Sequence, residues 1–385
     1  MNQRLGVACN GNSEDIGTWS GTPHCLLHAG RQYGFLQGGL DLRLAHAAGL
    51  RFVWQAIQLV QGRKARGFQY CQAFLDKLGK KAVQECRRLD LQEVISHYQL
   101  LPARYLLKHS IGTSYYIDTT LQALFATHGM CAWLNGRIAQ EATAIECDGY
   151  RSASRIVTMA AWVRESLQLR YGLSPNRIHT VLPGANIPED AVLQRLGDRG
   201  PSAPPDRFTL NRPLRLGFTG KDWKRKGLPR LVAAVELLNR AGVPAEVVAI
   251  GSLPRQYRRH GNVHAVGLID KARELSRFMD ILESCDLGCV PSHEEPMGIA
   301  PLEFLRLGVP IVCTAAGGLI DVCEAAGSAS ILLRKDATPE EIAARLQNAA
   351  RNPSTLQQMR VAAWERKEYF SWGRTVTELQ NIWAN

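Results

Sequence analysis

The chain has 385 residues, of which 45% are apolar and 21% charged, an ordinary globular composition with enough material for two cores. No apolar run approaches the roughly 18 residues that a membrane-spanning helix needs, and the N-terminus MNQRLGVACNGN does not read as a signal peptide. The net charge is +11, with +7 carried by residues 1–200, and the ten cysteines include no Cys-x-x-Cys pair, which points to reduced thiols and a cytoplasmic setting.

In chain order, Leu5–Cys9 reads as a strand and leads into a polar loop, Asn10–Gly21. That loop ends in Gly17-Thr18-Trp19-Ser20-Gly21-Thr22-Pro23 and runs into a helix bearing His24 and His28. The two histidines have no third ligand at metal spacing, so no metal is expected. Further strands are expected at Arg51–Gln58, Glu93–His97, Thr113–Ile117, Arg155–Met159 and Ile178–Leu182, with a helix at Trp162–Tyr171. Residues 62–108 hold ten basic and four acidic side chains, which suits a solvated helix face, an anionic membrane, an acidic acceptor or nucleic acid. Within it, Cys71, Phe74, Leu75, Leu78, Ala82 and Cys86 fall at helical spacing around Lys77, Lys80 and Lys81. Such a stripe either packs into a domain or lies on a membrane. The aromatic interleaving of a single-strand binder is missing, and no nucleic-acid partner is expected. Residues 197–213 contain four prolines and read as a linker.

The second half alternates regularly. Strands are expected at Leu214–Phe218, Ala245–Ile250, Val263–Val266, Leu287–Val290 and Pro310–Thr314. Helices are expected at Leu228–Leu238, Ala272–Ser284 and Pro301–Leu307. This alternation implies a parallel sheet with ligands beyond its carboxyl edge.

Two segments there carry the chemistry. Glu295 and Glu303 lie eight positions apart in SHEEPMGIAPLEFLRLGVP, between a strand end and Gly308-Val309-Pro310. One acid falls on a loop and the other one turn into a helix, whose N-terminus suits an anion. Upstream, Gly220-Lys221-Asp222-Trp223-Lys224-Arg225-Lys226-Gly227 sets four cations in six residues after a strand, a pattern for a polyanion. None of the fifteen aspartates forms an Asp-x-Asp, which removes the usual carboxylate pair for a metal-held diphosphate. No hydrolase elbow or Walker loop is present either.

The Glu-x7-Glu segment in this setting resembles the signature of family 4 retaining glycosyltransferases. The resemblance covers nearly the whole chain and is strongest over 214–318. It implies a GT-B fold: two Rossmann-like domains facing across a cleft that holds the active site, with a C-terminal helix crossing back to the N-terminal domain. The expected boundaries are 1–200 for the acceptor-binding domain, 201–213 for the linker, 214–365 for the nucleotide-sugar domain and 366–385 for the crossover helix. By this resemblance Glu295 contacts the donor sugar and Glu303 the nucleotide ribose. Gly298, Ile299 and Ala300 offer backbone N–H groups to the diphosphate. Lys226 and Lys221 neutralise the leaving group, with Lys221 standing where the family has arginine and Arg225 able to supply that contact. Gly21 matches the family's glycine-rich loop, and Pro183-Gly184-Ala185-Asn186-Ile187 its inter-domain segment. Asp118, in Tyr115-Tyr116-Ile117-Asp118-Thr119-Thr120, stands where many members have a histidine. It either orients a donor or acceptor hydroxyl or caps the following helix. His97 and His109 are further candidates.

The implied activity is metal-independent transfer of a sugar from a nucleotide diphosphate sugar, the co-substrate, to a hydroxyl acceptor, with no cofactor and with peripheral contact to an anionic membrane as an option. A GT-B nucleotide-sugar epimerase, a phosphorylase-like enzyme and an inactive transferase serving as a binding protein are the alternatives.

Overall fold

The computed structural model describes residues 4–44, 47–63, 65–127, 136–197 and 212–384. The chain divides into two compact units, one formed by Met1–Leu182 with Val376–Asn385 and the other by Pro183–Thr375. Most of the expected linker, 201–211, lies outside the described residues, as does Cys131.

The first unit holds a six-stranded sheet made of β1 (Leu5–Ala8), β2 (Gly38–Gly39), β3 (Glu93–Ser96), β4 (Gly112–Ile117), β5 (Ile156–Thr158) and β6 (Ile178–Thr180). Its order is β2-β1-β3-β4-β5-β6 and every pairing is parallel. The direction of winding reverses between β1 and β3, so the loops after those two strands frame the switch point.

Two expectations change here. Arg51–Gln58 is not a strand: it lies inside a helix, Ala47–Val60. Its polar residues Arg51, Gln55 and Gln58 recur at i, i+4 and i+7, the helical period, although Phe52, Val53, Trp54 and Ile57 are residue types that suit a strand. The Cys71–Cys86 stripe belongs to the helix Gln72–Arg88, and Phe74, Leu75, Leu78, Ala82 and Cys86 are buried in the core of the unit. Packing into the domain accounts for that stripe, and only the cationic face looks outward.

The second unit holds β7 (Leu214–Thr219), β8 (Ala245–Ile250), β9 (Val263–Gly267), β10 (Leu287–Val290), β11 (Ile311–Thr314) and β12 (Ser330–Leu333). Their order is β12-β11-β10-β7-β8-β9, again all parallel. This is the doubly wound order in which the sheet reverses between β7 and β10. The strands are short runs of Val, Ile, Leu and Ala because helices cover both faces. The helix Ile299–Arg306 lies close over the sheet since Gly217 and Gly288 carry no side chain beneath it. A Cβ on either would come within 2.6 and 2.4 Å of the Phe304 ring.

A buried ionic network explains why the second unit starts at Pro183. Arg306 is 1% exposed and donates to Glu189 and to Glu368, both at 2.8 Å, while Glu189 also accepts the N–H of Trp372. Glu189 opens the helix Glu189–Gly197, so the segment before 198 is clamped onto the second sheet's helices. The last helix, Trp372–Ala384, ends in the first unit. There Trp383 meets Phe35 edge-on at 5.7 Å and lies under the guanidinium of Arg155.

Candidate functional site

At the switch point of the second sheet, the loops after β7 and β10 touch through backbone. Gly227 has φ +77°, and a Cβ there would sit 1.8 Å from the Pro291 carbonyl, so only glycine fits. The contact is reinforced on both sides. The His293 N–H donates to the Arg225 carbonyl at 2.8 Å, and the Arg225 guanidinium donates to the Glu294 carbonyl. Below, buried Arg230 donates to the carbonyls of Pro291, Lys335 and Ala337.

This stapling sets Glu295 among cations. Its carboxylate lies 3.4 Å from the Lys226 ammonium and 3.3 Å from the Arg225 guanidinium, and it accepts from the Ser292 hydroxyl at 3.1 Å. Burial alone would raise the Glu295 pKa, but Lys226, Arg225 and the hydroxyl outweigh it and hold the carboxyl below its ordinary range. Lys226 is largely shielded, whereas Lys221 is exposed at the start of the same loop.

Gly298, at φ +86°, turns the chain into the helix Ile299–Arg306. That start has no side-chain cap, so the first-turn N–H groups of Ile299 and Ala300 are offered to whatever anion enters. One turn on, Glu303 is 3% exposed and paired with the Lys271 ammonium, which also reaches the Asn186 carbonyl at 3.3 Å. Burial pushes the Glu303 carboxyl up, while Lys271 and, more weakly, Lys226 pull against it. Two buried acids thus differ in direction because Glu295 has two cations and a hydroxyl while Glu303 has one direct partner.

Lys271, Ser292 and Arg230 are the residues the sequence reading missed. Ser292 was visible as the residue after Pro291. Lys271 gives no signal, since it meets Glu303 only through the fold, 32 positions away.

Gly21 and Asp118 belong to the first unit, each at the carboxyl edge of its sheet. The loop after β1 is backbone-strained: Trp19 and Ser20 have φ of +50° and +59°, followed by Gly21 at +94° as the start of the helix Thr22–Gln32. Consecutive left-handed non-glycine residues are uncommon and collect at functional loops. The Glu14–Arg31 ion pair and the Asp15 carboxylate, which accepts the Gly17 N–H, brace the loop. His24 has its Nδ1 engaged with the Glu14 carbonyl and stacks on His28 at 6.3 Å. Among the described residues no group of three metal-ligating side chains occurs.

Asp118 follows β4 and is half-buried. At the next helix start, the Thr120 hydroxyl accepts the Ala123 N–H and Glu146 accepts the Leu121 N–H. His97, directly after β3, is 2% exposed and its Nδ1 pairs with the Tyr116 carbonyl at 2.7 Å. Nδ1 therefore carries the proton, and the buried Nε2 presents a lone pair that has no partner among the described residues. Burial lowers the His97 pKa to about 4, so the ring is neutral at ordinary pH. His109 lies away from this edge, before β4, meeting Tyr105 edge-on and lying near Arg87.

Two doubly wound parallel sheets, each in its own unit, with a last helix shared between the units, define a GT-B protein. The structure of Anabaena Alr3699/HepE in complex with UDP and glucose is similar to it over 99% of this chain and 100% of that one, with a TM-score of 0.65 at 14% identity. Residues 208–366, less than half of the chain, match the family model described as glycosyl transferases group 1. Among curated relatives, the alpha-maltose-1-phosphate synthase of Mycolicibacterium smegmatis is 27% identical over 63% of this chain and 65% of its own length. The D-inositol 3-phosphate glycosyltransferase of Rhodococcus erythropolis is 26% identical over 74% of this chain and 67% of its own. The chain thus matches about two thirds of the length of these relatives.

Proposed function

We propose that the protein transfers a sugar from a nucleotide diphosphate sugar to a hydroxyl acceptor with retention at the anomeric carbon, without a metal ion. The observation that carries this reading is the buried Glu295 carboxylate held between Lys226 and Arg225 at the switch point, beside an uncapped helix start. A diphosphate entering there meets Lys226, Arg225, the exposed Lys221 and the N–H groups of Ile299 and Ala300. Glu295 is then left facing the sugar, and Glu303 accepts the two vicinal ribose hydroxyls.

In this mechanism the bond from the anomeric carbon to the phosphate oxygen breaks on the face where the acceptor oxygen attacks. The departing phosphate takes the acceptor proton. Positive charge fixed in place stabilises the negative charge that develops on the leaving group, with no reorganisation at the moment of transfer. The N-terminal loop at Gly21 and the Asp118 carboxylate are assigned to the donor sugar or the acceptor. The free thiols of the described cysteines support a reducing, cytoplasmic setting.

A thermal-shift panel of UDP-, GDP-, ADP- and dTDP-sugars tests the donor site. Stabilisation by one of them that persists in EDTA is expected, together with glycosyl transfer that needs an added acceptor. No shift with any of the four overturns the reading in favour of an inactive binder, and product without acceptor overturns it in favour of an epimerase.

A further inference from the structure

The helix Ala47–Val60 presents an apolar face that no described residue of its unit covers. Its inner side is accounted for: Leu50 and Trp54 pack against the core, Trp54 meeting Phe68 edge-on at 5.9 Å, and Gln58 is buried. On its other side, Phe52, Val53, Ile57, Leu59 and Val60 are 74%, 55%, 48%, 65% and 89% exposed. Their separations of three, four and seven positions gather them on one face of a rod about 21 Å long. A contiguous patch of this kind marks a surface meant to be covered.

The surrounding charge says by what. Between Asp41 and Asp76 the sequence carries Arg43, Arg51, Arg63, Lys64 and Arg66 and no carboxylate. Arg51 is exposed and immediately precedes Phe52. A protein partner of mixed surface charge would not require an acid-free border of 34 residues around an apolar ridge. A bilayer with anionic headgroups does, because its apolar layer lies just beneath a sheet of negative charge. We infer that the helix Ala47–Val60 is a membrane-docking element. It lies in the plane of an anionic lipid surface, sinks Phe52, Val53, Ile57, Leu59 and Val60 below the headgroups, and is held there by the neighbouring arginines. The inference does not depend on the donor site, and it differs from a membrane role for the helix Gln72–Arg88, whose apolar stripe is buried.

Flotation of the full chain with vesicles of phosphatidylcholine alone, and of phosphatidylcholine with phosphatidylglycerol, tests it. Binding to the anionic vesicles at low salt is expected, with little to the neutral ones and weakening as salt rises. The Phe52→Gln/Val60→Gln variant should lose about tenfold or more of that binding while its melting temperature is unchanged, since both side chains are exposed. Arg51→Glu/Arg63→Glu should remove the salt-sensitive part. No flotation with phosphatidylglycerol vesicles at low salt overturns the inference. So does equal flotation by a folded Phe52→Gln/Val60→Gln protein. A dimer seen by light scattering that the same variant dissolves also overturns it, and assigns the face to a second copy of the chain.

Discussion

The carboxyl edges of the two sheets occupy equivalent places in equivalent folds and carry opposite chemistry. At the second sheet, Lys226, Arg225 and Lys271 surround two buried carboxylates, and the two loops are pinned together by Gly227 and Arg230. At the first, burial holds His97 uncharged, pushes the Cys9 thiol up to about 11 and raises the buried Glu146 carboxyl to about 7. The strain there lies in backbone, at Trp19 and Ser20. On the proposed function, the difference falls where charge would change during transfer. A departing diphosphate needs fixed cations, whereas a hydroxyl or a sugar needs shape and neutral hydrogen-bond partners.

Six substitutions would break or sharpen this contrast. The largest effect belongs to Lys226→Ala, which should lower turnover about 100-fold or more in steady-state kinetics, because the charge it opposes develops only as the leaving group departs. Undiminished turnover would remove its assigned role. Next, Glu303→Ala should weaken nucleotide affinity by about tenfold or more with a smaller change in turnover, as titration calorimetry would show. In the same assay Lys271→Met should make affinity fall as pH drops and recover as pH rises. Burial already raises the Glu303 pKa, and without the ammonium the carboxyl takes a proton at still higher pH and no longer accepts both hydroxyls. If Glu303→Ala binds nucleotide normally, the ribose assignment fails; if Glu303→Ala is weak but Lys271→Met shows no pH dependence, only the part given to Lys271 fails.

In the first unit, Asp118→Asn should reduce turnover about tenfold while leaving nucleotide affinity intact, a split that would separate the two edges functionally. The smallest effect is on stability. The His97 pKa is depressed to about 4 in the fold against about 6.5 unfolded, so the unfolded chain takes up the proton first as pH falls. Its contribution is complete above about pH 6.5 and is lost toward pH 4, amounting to about 1 kcal/mol by pH 5.5. Denaturant melts of His97→Gln should lack that acid-side loss. Another buried acid of the same unit, Glu146, works the other way: burial raises its pKa to about 7, so stability declines as pH rises from about 4.5 to 7. Comparing His97→Gln with Glu146→Gln would separate the two slopes.

The strands of the second sheet were legible because each is a short apolar run stopped by Gly or Pro. Glu295, Glu303 and Lys226 stood out because residues on a loop and the adjoining helix turn leave a local spacing, and the structure places Glu295 beside Lys226. Two strands escaped notice. Gly38–Gly39 and Ser330–Leu333 are too short or too polar to show a period, and pairing with β1 and β11 alone makes them strands. The helix Ala47–Val60 was misread because its β-branched and aromatic residues Phe52, Val53, Trp54 and Ile57 suit a strand, although Arg51, Gln55 and Gln58 recur at helical spacing.

The sequence by itself therefore determined the alternation of strands and helices, the cations after β7 and the two acids after β10, since each is written within a dozen consecutive residues. Only the tertiary structure decided the partners. Glu303 meets Lys271, Glu189 meets Arg306, and His97 loses its water, through contacts between segments 19 to 117 positions apart. Ionisation and pairing depend on burial and on what lies across the fold, and those are properties of packing rather than of spacing.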